Sequence, residues 1–251
     1  MLKLDDLSKH FDGVRAVDGL SLEVDRGEIF GLIGPNGSGK STTVNLICGV
    51  FSATRGKVMF DGRDLDRLPP HRRLNAGISR TFQNIRLFGE LTVWQNVWIA
   101  RREAPGKEAG FIRNWFGSSA GTREAIEEIL EFADLAGRAN DLAKNLAFGE
   151  QRRLELARAV AARPDLILLD EPAAGMNREE VEDLRQRILA LRHDGITVLL
   201  VEHVMELVMG VTDRIAVLNF GKLIALGTPA EIQDNMAVRE AYLGSPDSES
   251  A

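Results

Sequence analysis

The sequence predicts an α/β fold with a mainly parallel core sheet, and three observations support that prediction. Apolar segments of strand length alternate with helical patterns from about residue 149 onward, which is typical of a parallel sheet covered on both faces. A glycine-rich segment at 34–40 separates an apolar strand from a predicted helix. The 251 residues are 44% hydrophobic and 27% charged, as in an ordinary globular protein. We expect one domain with a subdomain growing out of it.

The first 62 residues are predicted to form strands around one helix. LKLDDL and LSLEV alternate apolar with polar positions, and the apolar run IFGLIG follows a turn at 25–27. A helix is expected to begin near Ser41, after the glycine-rich segment. KVMFDG at 57–62 is then predicted to be a strand that ends in an Asp-Gly turn.

The middle of the chain, from about residue 84, has a different pattern. Helical periodicity at 92–101 and 122–136 lies on either side of the stretch EAPGKEAGFIRNWFGSSAG, and this region has no strong strand pattern. We therefore expect a helical subdomain over about 84–162.

The carboxyl-terminal part is predicted to alternate helices and strands. The expected elements are a helix at 151–162, a strand at 165–170, a helix at 178–192, a strand at 196–201, a helix at 203–211 and a strand pair around Gly221. Thr228, Pro229 and Glu231 match a helix-start pattern, with Thr as the N-cap. This pattern predicts a helical extension over about 228–244, and the last residues, SPDSESA, are expected to be a disordered tail.

The charge, the cysteine content and the length of the apolar runs exclude several classes of protein. With 31 basic and 37 acidic residues the net charge is -6, so the chain has no general attraction for nucleic acid. The single cysteine, Cys48, cannot form an internal disulfide and indicates a reducing compartment. No apolar run approaches the roughly 20 residues that a spanning helix needs, and the amino terminus lacks a signal-peptide pattern. We expect a cytoplasmic protein that does not cross a membrane by itself.

The strongest motif is GPNGSGKST, which matches the phosphate-loop pattern through Gly34, Gly39, Lys40 and Ser41. Glycines let successive backbone N–H groups converge on phosphate oxygens, and the following helix adds its positive end. Lys40 is expected to bridge the β- and γ-phosphates, and Ser41 to bind Mg²⁺. The predicted nucleotide contacts in this loop are Gly34, Pro35, Asn36, Gly37, Ser38, Gly39, Lys40, Ser41 and Thr42.

A second acidic motif follows an apolar strand. LILLDEP at 166–172 ends that strand in two adjacent carboxylates. Asp170 is predicted to hold the Mg²⁺ shell, and Glu171 to act as general base or to position the water that attacks the γ-phosphate. Two carboxylates at a strand end suit a metal ligand beside a base.

Three further residues occur in an order that resembles the ATP-binding cassette family. Phe11 lies 29 residues before Lys40, Gln83 lies in SRTFQN, and His203 lies in VEHVM after an apolar strand. The resemblance implies that Phe11 stacks on adenine and that His203 contacts the γ-phosphate. It also implies that Gln83 reaches Mg²⁺ and the attacking water and senses a membrane partner.

The family signature LSGGQ corresponds to LAFGE at 146–150 and departs from it at three positions. Ala147 lacks the serine hydroxyl, Phe148 replaces a glycine and Glu150 replaces glutamine. The Gly149 amide and the start of the following helix can still face an anion. Loss of one hydroxyl donor to a phosphate is expected to cost about 1.5–3 kcal/mol if nothing replaces it.

The loop AAGMN ends in Asn177, where the family usually has aspartate. Asn177 with Glu180 also matches a helix N-cap box. Both interpretations remain open from the sequence.

The resemblance covers nearly the whole chain and implies a single domain over 1–251. Its fold would be the cassette type of P-loop NTPase, with a mainly parallel core sheet, an antiparallel β subdomain and a helical subdomain. It implies ATP and Mg²⁺ as cofactors and a head-to-tail dimer with the same or a different cassette. It also implies permease subunits that hold the chain on the inner face of the membrane. Through them the chain would work indirectly with a periplasmic or extracellular substrate-binding protein. The resemblance implies no nucleic-acid partner.

Several segments are similar to one branch of this family. LAFGEQRRLELARAV and the ending GTPAEIQDNMAVREAYLG look like the ATP-binding subunit of branched-chain amino acid importers. This similarity implies that ATP hydrolysis powers the import of branched-chain or related amino acids.

The segment after Gln83 is a candidate dock for a membrane subunit. It places the apolar side chains Leu87, Phe88, Val93, Trp94, Val97 and Trp98 at and after a helix entry. The last four share one helix face, which is typical of a core face as well as of a docking face.

There are two alternative functions, one for a cassette that does not transport and one for a cassette that exports instead of importing. A cassette that acts on DNA or ribosomes predicts an inserted coiled coil, a second cassette or a basic stripe, and the sequence has none of these. A cassette for lipid or lipopolysaccharide export shares much of the carboxyl-terminal pattern and remains open.

Overall fold

The computed structural model describes residues 1–81, 85–101 and 122–243. The chain forms two compact units. The first unit consists of Met1–Ala76 and the chain from Leu199 onward, and the second consists of Gly77–Val198. Gln83 and the stretch predicted between the two middle helices lie outside the described residues, as does the SPDSESA tail.

An antiparallel sheet in the first unit has the strand order β2-β1-β4-β5. Its strands are β1 (Leu2–Phe11), β2 (Val14–Val24), β4 (Arg55–Phe60) and β5 (Arg63–Asp64). Alternation buries one face, and Leu4 pairs with Leu22 across β1 and β2. Asp61 and Gly62 both have positive φ and form the predicted Asp-Gly turn between β4 and β5.

The first unit also contains the strand order β10-β9-β3-β8. These strands are β3 (Ile29–Ile33), β8 (Thr197–Val201), β9 (Arg214–Asn219) and β10 (Lys222–Gly227). Every residue of β3 is buried, and β3 runs parallel to β9, whereas β10 returns antiparallel. The expected parallel core strands and the antiparallel sheet are therefore both present.

The described part of the first unit contains five helices: α1 (Lys40–Ile47), α2 (Pro70–Asn75), α7 (Met205–Val211), α8 (Pro229–Asp234) and α9 (Met236–Leu243). The predicted capping box begins α8, because the Glu231 carboxylate accepts from the Thr228 N–H at 2.8 Å. Ile232 and Val238 then pack into a core cluster with Ile33 and Val217. This burial attaches the carboxyl-terminal helices to the core.

The second unit contains the neighbouring strands β7 and β6 and the first two residues of β8. Its own strands are β6 (Ile78–Arg80) and β7 (Leu166–Asp170), which pair in parallel. Its described helices are α3 (Val93–Ala100), α4 (Thr122–Phe132), α5 (Phe148–Ala161) and α6 (Arg178–His193), with 3₁₀ turns at Ala136–Arg138 and Ala143–Asn145.

Two of these helices differ from the sequence-based expectation at their ends. The helix predicted at 122–136 ends at Phe132, and Asp134 adopts a positive φ that stops it. The helix predicted at 151–162 begins at Phe148, three residues early, which places Gly149 in its first turn. No helix in the described ranges combines the length and the apolarity that crossing a bilayer requires.

Candidate functional site

The phosphate loop joins β3 to α1 and depends on two glycines. Gly34 (φ 151°) and Gly39 (φ 104°) lie at the loop's ends. A Cβ atom on Gly34 would lie 2.2 Å from the Leu218 carbonyl oxygen, and one on Gly39 would lie 2.3 Å from that of Ala16. The loop backbone therefore lies directly against β9 and β2, which only glycine permits.

This loop carries several polar groups that suit a phosphate. The buried Lys40 ammonium donates to the carbonyl oxygens of Gly34 at 2.7 Å and Pro35 at 3.0 Å. The Ser38 hydroxyl is buried and has no hydrogen-bond partner within the described part of the chain. Ser41 is exposed at the start of α1, and Thr42 is half-buried beside it. An unsatisfied hydroxyl, an ammonium and a helix start fit the oxygens of a phosphate group.

Phe11 ends β1 in the first unit and is 39% exposed. Its ring meets the Phe51 ring edge to face, with centroids 5.2 Å apart, and the Lys9 ammonium lies 4.9 Å from its centroid. These contacts hold the ring while part of it faces solvent. Such a ring can stack on a flat base.

His203 follows β8 in the same unit, and its side chain is 59% exposed. Its Nδ1 lies 3.6 Å from the carboxylate of Glu202, whose side chain is completely buried. That carboxylate accepts from the backbone N–H groups of His203 at 2.7 Å and Val204 at 3.0 Å. Glu202 therefore shapes the turn that presents His203. Glu202 was not predicted from the sequence, although an acidic residue directly after an apolar strand is a detectable signal.

A second missed contact involves the carboxyl-terminal helix α9. Burial raises the pKa of the Tyr242 phenol, and the backbone of Gly34 in the phosphate loop opposes the rise. No local pattern could have linked two residues so far apart in the chain.

Asp170 is the last residue of β7 in the second unit, and Glu171 follows it directly. The buried Asp170 carboxylate pairs with the Arg80 guanidinium at 2.7 Å, and the Asp170 N–H donates to the Thr81 hydroxyl at 3.3 Å. Arg80 was not singled out from the sequence. It supplies the positive charge that a buried carboxylate needs. Glu171 is half-buried and has a positive φ of 50°, a strained conformation at the point where the strand turns into the loop.

The segment 146–150 leads into α5, with Ala147 as the N-cap residue. Ala147 makes no side-chain cap, and the Glu150 carboxylate instead accepts from the Ala147 N–H at 2.8 Å. A Cβ atom on Gly149 would lie 2.3 Å from a Glu180 carboxylate oxygen of α6. Glycine at 149 therefore leaves room for the Glu180 carboxylate beside the start of α5.

Asn177 caps α6. Its side chain accepts from the Glu180 N–H at 3.0 Å, and the Glu180 carboxylate accepts from the Asn177 N–H at 2.8 Å. The N-cap interpretation of Asn177 is therefore confirmed. A contact of Asn177 with nucleotide stays a prediction.

The predicted site residues thus fall into two groups. Phe11, the loop 34–42 and His203 belong to the first unit. Asp170, Glu171 and Gly149 belong to the second.

The family follows from comparison with known proteins. Residues 17–174, more than half of the chain, match the family model described as ABC transporter. The chain belongs to the ABC transporter family. Residues 222–248 match a second model, described as branched-chain amino acid ATP-binding cassette transporter.

Curated relatives extend over almost the entire chain. One is the high-affinity branched-chain amino acid transport ATP-binding protein BraF of Pseudomonas aeruginosa, which is 42% identical over 97% of this chain and 98% of its own length. Its counterpart LivG of Escherichia coli is 41% identical with the same coverage. The lipopolysaccharide export system ATP-binding protein LptB of Haemophilus influenzae is 34% identical over 97% of both chains.

Solved structures agree with the fold. A nucleotide-free ATP-binding cassette from an ABC transporter is 32% identical, with a TM-score of 0.83, over 98% of this chain and 99% of that one. A dimeric cassette in a post-hydrolysis state, bound to ADP and phosphate, is 28% identical, with a TM-score of 0.75, over 91% and 99%. The predicted cassette fold is confirmed, and this chain is an ATP-binding and ATP-hydrolysing subunit of the ABC transporter family.

Proposed function

We propose that this chain powers the import of branched-chain amino acids by hydrolysing ATP. The observation that carries the proposal is the match of residues 222–248 to the branched-chain amino acid cassette model. Identity of 41–42% to BraF and LivG over nearly full length supports it. Because these residues include β10, α8 and α9, the match lies outside the nucleotide motifs that all cassettes share.

ATP binding is assigned to the first unit. Phe11 stacks on the adenine, the loop N–H groups of 34–42 hold the phosphates, and Lys40 neutralises their charge. The proposed Mg²⁺ ligands are Ser41, Gln83 and Asp170, whose oxygen atoms suit a hard cation. When bound, Mg²⁺ neutralises charge that develops on the phosphate oxygens.

Hydrolysis is assigned to Glu171, with His203 and Gln83 in support. Glu171 accepts the proton of the attacking water. His203, presented by the Glu202 turn, donates to the γ-phosphate, and Gln83 orients the water. The Gly149 amide of a second cassette donates to the same phosphate from the start of α5.

Partners are required by this mechanism. Two cassettes face each other head to tail, either as two copies of this chain or as a pair with another cassette. Closure on ATP and reopening after hydrolysis drive permease subunits between two states. The pair sits on the cytoplasmic face of the membrane through the permeases, and a substrate-binding protein delivers the amino acid from the opposite side.

The apolar segment after Gln83 divides into a core part and an exposed part. Val93 and Val97 are fully buried, which confirms the core interpretation for those two positions. Phe88 and Trp98 are 49% and 51% exposed. We therefore assign permease docking to these two exposed side chains.

Truncating both exposed aromatics tests that assignment. We expect Phe88→Ala with Trp98→Ala to reduce copurification with the permease at least severalfold while ATPase activity of the separate subunit is retained, because docking loses two aromatic anchors. Phe220→Ala is the matched control, since Phe220 is the most exposed large apolar residue in the described ranges and lies on the β9–β10 turn. Undiminished copurification of the double variant would refute docking at this segment.

Reconstitution tests the proposed substrate. The chain is assembled with its permease in proteoliposomes, and ATP hydrolysis and uptake are measured with leucine and its binding protein. We expect the rates of ATP hydrolysis and of leucine uptake to rise when leucine-loaded binding protein is present. We expect the Glu171→Gln assembly to show neither hydrolysis nor uptake. The 34% identity to LptB makes lipid export the competing function. Stimulation by lipopolysaccharide, with no response to branched-chain amino acids, would support that alternative instead.

A further inference from the structure

An ion pair anchors the carboxylate of Glu150 at the start of α5. The Arg138 guanidinium, from the 3₁₀ turn Ala136–Arg138, donates to Glu150 Oε1 at 2.9 Å. The Glu150 side chain is 19% exposed. Its other oxygen, Oε2, is the atom that accepts from the Ala147 N–H. One carboxylate therefore joins the N-cap residue of α5 to a cation outside the helix.

A neighbouring carboxylate orients that cation. Arg138 Nε donates to Asp141, and hydrogen bonding to Asp141, with the charge of Glu150 in support, raises the pKa of Arg138. The three side chains together carry one net negative charge. Without Arg138, the carboxylates of Asp141 and Glu150 would together carry two negative charges.

This charge matters because of where Glu150 lies. The first turn of a helix carries a positive partial charge and attracts anions, and Gly149 lies in that turn. A carboxylate in the same turn stabilises the helix but repels an arriving phosphate. The usual family residue at this position, glutamine, has no such charge.

We propose that Arg138 is a positioning residue for the segment 146–150. Its guanidinium offsets the charge of Glu150 and holds the Glu150 carboxylate on the Ala147 N–H. As a result, the start of α5 accepts the γ-phosphate of a nucleotide that is bound to a second cassette. This inference rests on the proposed function, in which Gly149 contacts that phosphate. It explains how a signature with a glutamate keeps an anion-accepting helix start.

A double-mutant cycle tests the proposal. ATPase activity is measured for Arg138→Gln in the native background and in the Glu150→Gln background. We expect Arg138→Gln to lower kcat about tenfold when Glu150 is present, less than the 10²–10³ that follows removal of a direct donor. In the Glu150→Gln background, where residue 150 carries no charge for Arg138 to neutralise, we expect less than a twofold change. An equal loss in both backgrounds would overturn the proposal, as would no loss in either.

Salt dependence separates charge neutralisation from a structural role. ATP-dependent dimerisation is measured by light scattering in Glu171→Gln protein with and without Arg138→Gln. Because salt screens the repulsion between Glu150 and the nucleotide phosphate while the two cassettes approach, before the pair closes, we expect the dimerisation defect to shrink between 0.05 and 0.5 M NaCl, roughly the span over which the Debye length falls to a few ångströms. A defect that is the same at both salt concentrations would indicate lost packing and contradict the proposal.

Controls keep this inference distinct from the proposed function. Arg123→Gln removes an exposed Arg–Glu pair of α4 and should leave activity unchanged. Arg138→Lys keeps the charge and should retain most activity even if Arg138→Gln unfolds, and a tenfold loss in a folded Arg138→Lys would overturn the proposal. Dimerisation of the Glu171→Gln reference on ATP tests the composite site itself. If the reference fails to bind ATP, the proposed function is refuted. If it binds ATP but stays monomeric, the site closes only with another cassette or the permease, and the cycle is measured in that assembly. Failure of the cycle with an intact reference refutes only the role of Arg138.

Discussion

Replacing Glu171 with glutamine is expected to slow ATP hydrolysis by about 10²–10⁴-fold while ATP still binds, because general-base catalysis contributes that much. Glutamine keeps the size of the side chain and removes only its basicity. It also leaves unchanged the strained backbone that places residue 171 at the end of β7. The loss should therefore appear in kcat rather than in nucleotide affinity.

Light scattering with and without Mg-ATP measures the consequence for assembly. We expect the Glu171→Gln protein to form an ATP-dependent dimer, since a closed pair that cannot hydrolyse its nucleotide does not reopen. Glu131→Gln, an exposed residue of α4, is the matched substitution and should neither slow hydrolysis nor trap a dimer.

The alternative outcomes have different meanings. A persistent monomer with tight ATP binding would mean that LAFGE needs another cassette or the permease to close. Absence of ATP binding would refute the assignment of the nucleotide loop. Unchanged hydrolysis would remove Glu171 from the catalytic role.

Replacing Arg73 with alanine is expected to cause the largest loss of stability among the substitutions considered. Arg73 is buried on α2, and its guanidinium donates to the carbonyl oxygens of Leu46 at 2.6 Å, Ile47 at 2.8 Å and Leu68 at 2.9 Å. Two of these carbonyls end α1, the helix that starts at the phosphate loop. Burial lowers the pKa of Arg73, which reflects the cost of holding this cation away from water.

Alanine removes the guanidinium donor from these three carbonyls and creates a cavity, although the Leu46 carbonyl keeps the Gly49 N–H at 3.1 Å. An unsatisfied buried polar group costs about 1–3 kcal/mol, so we expect the free energy of unfolding to fall by about 3 kcal/mol or more. Urea unfolding followed by circular dichroism measures the change. Arg72→Ala is the matched control, because Arg72 is the preceding residue of α2 and is exposed, and we expect it to change stability by less than about 0.5 kcal/mol.

Gly49 provides a second probe of the same contact. A Cβ atom there would lie 2.5 Å from Arg73 Nε, and the φ of 74° disfavours alanine as well. Gly49→Ala should therefore destabilise the protein by displacing the guanidinium. Equal unfolding midpoints for Arg72→Ala and Arg73→Ala would show that α1 does not depend on this cation.

The features that the sequence predicted correctly depend on neighbours within a few residues. The Asp61–Gly62 turn, the Thr228 capping box and the loop between β3 and α1 are local, so residue type and spacing determine their backbone. Periodicity similarly placed the long helices and the buried strands. The short helix α2 was missed because six residues show too little periodicity. The start of α5 was misplaced because Ala147 is not a favoured N-cap residue.

By itself the sequence determined the family, the nucleotide loop and the chemical types of the candidate catalytic groups. The tertiary structure alone decided which side chains support them. Arg80 lies 90 residues from Asp170 in the chain, and Tyr242 is more distant still from Gly34. The pairing of strands and the packing of helices determine which cation neutralises a buried carboxylate. Spacing along the chain does not encode the distance between two such side chains in the fold.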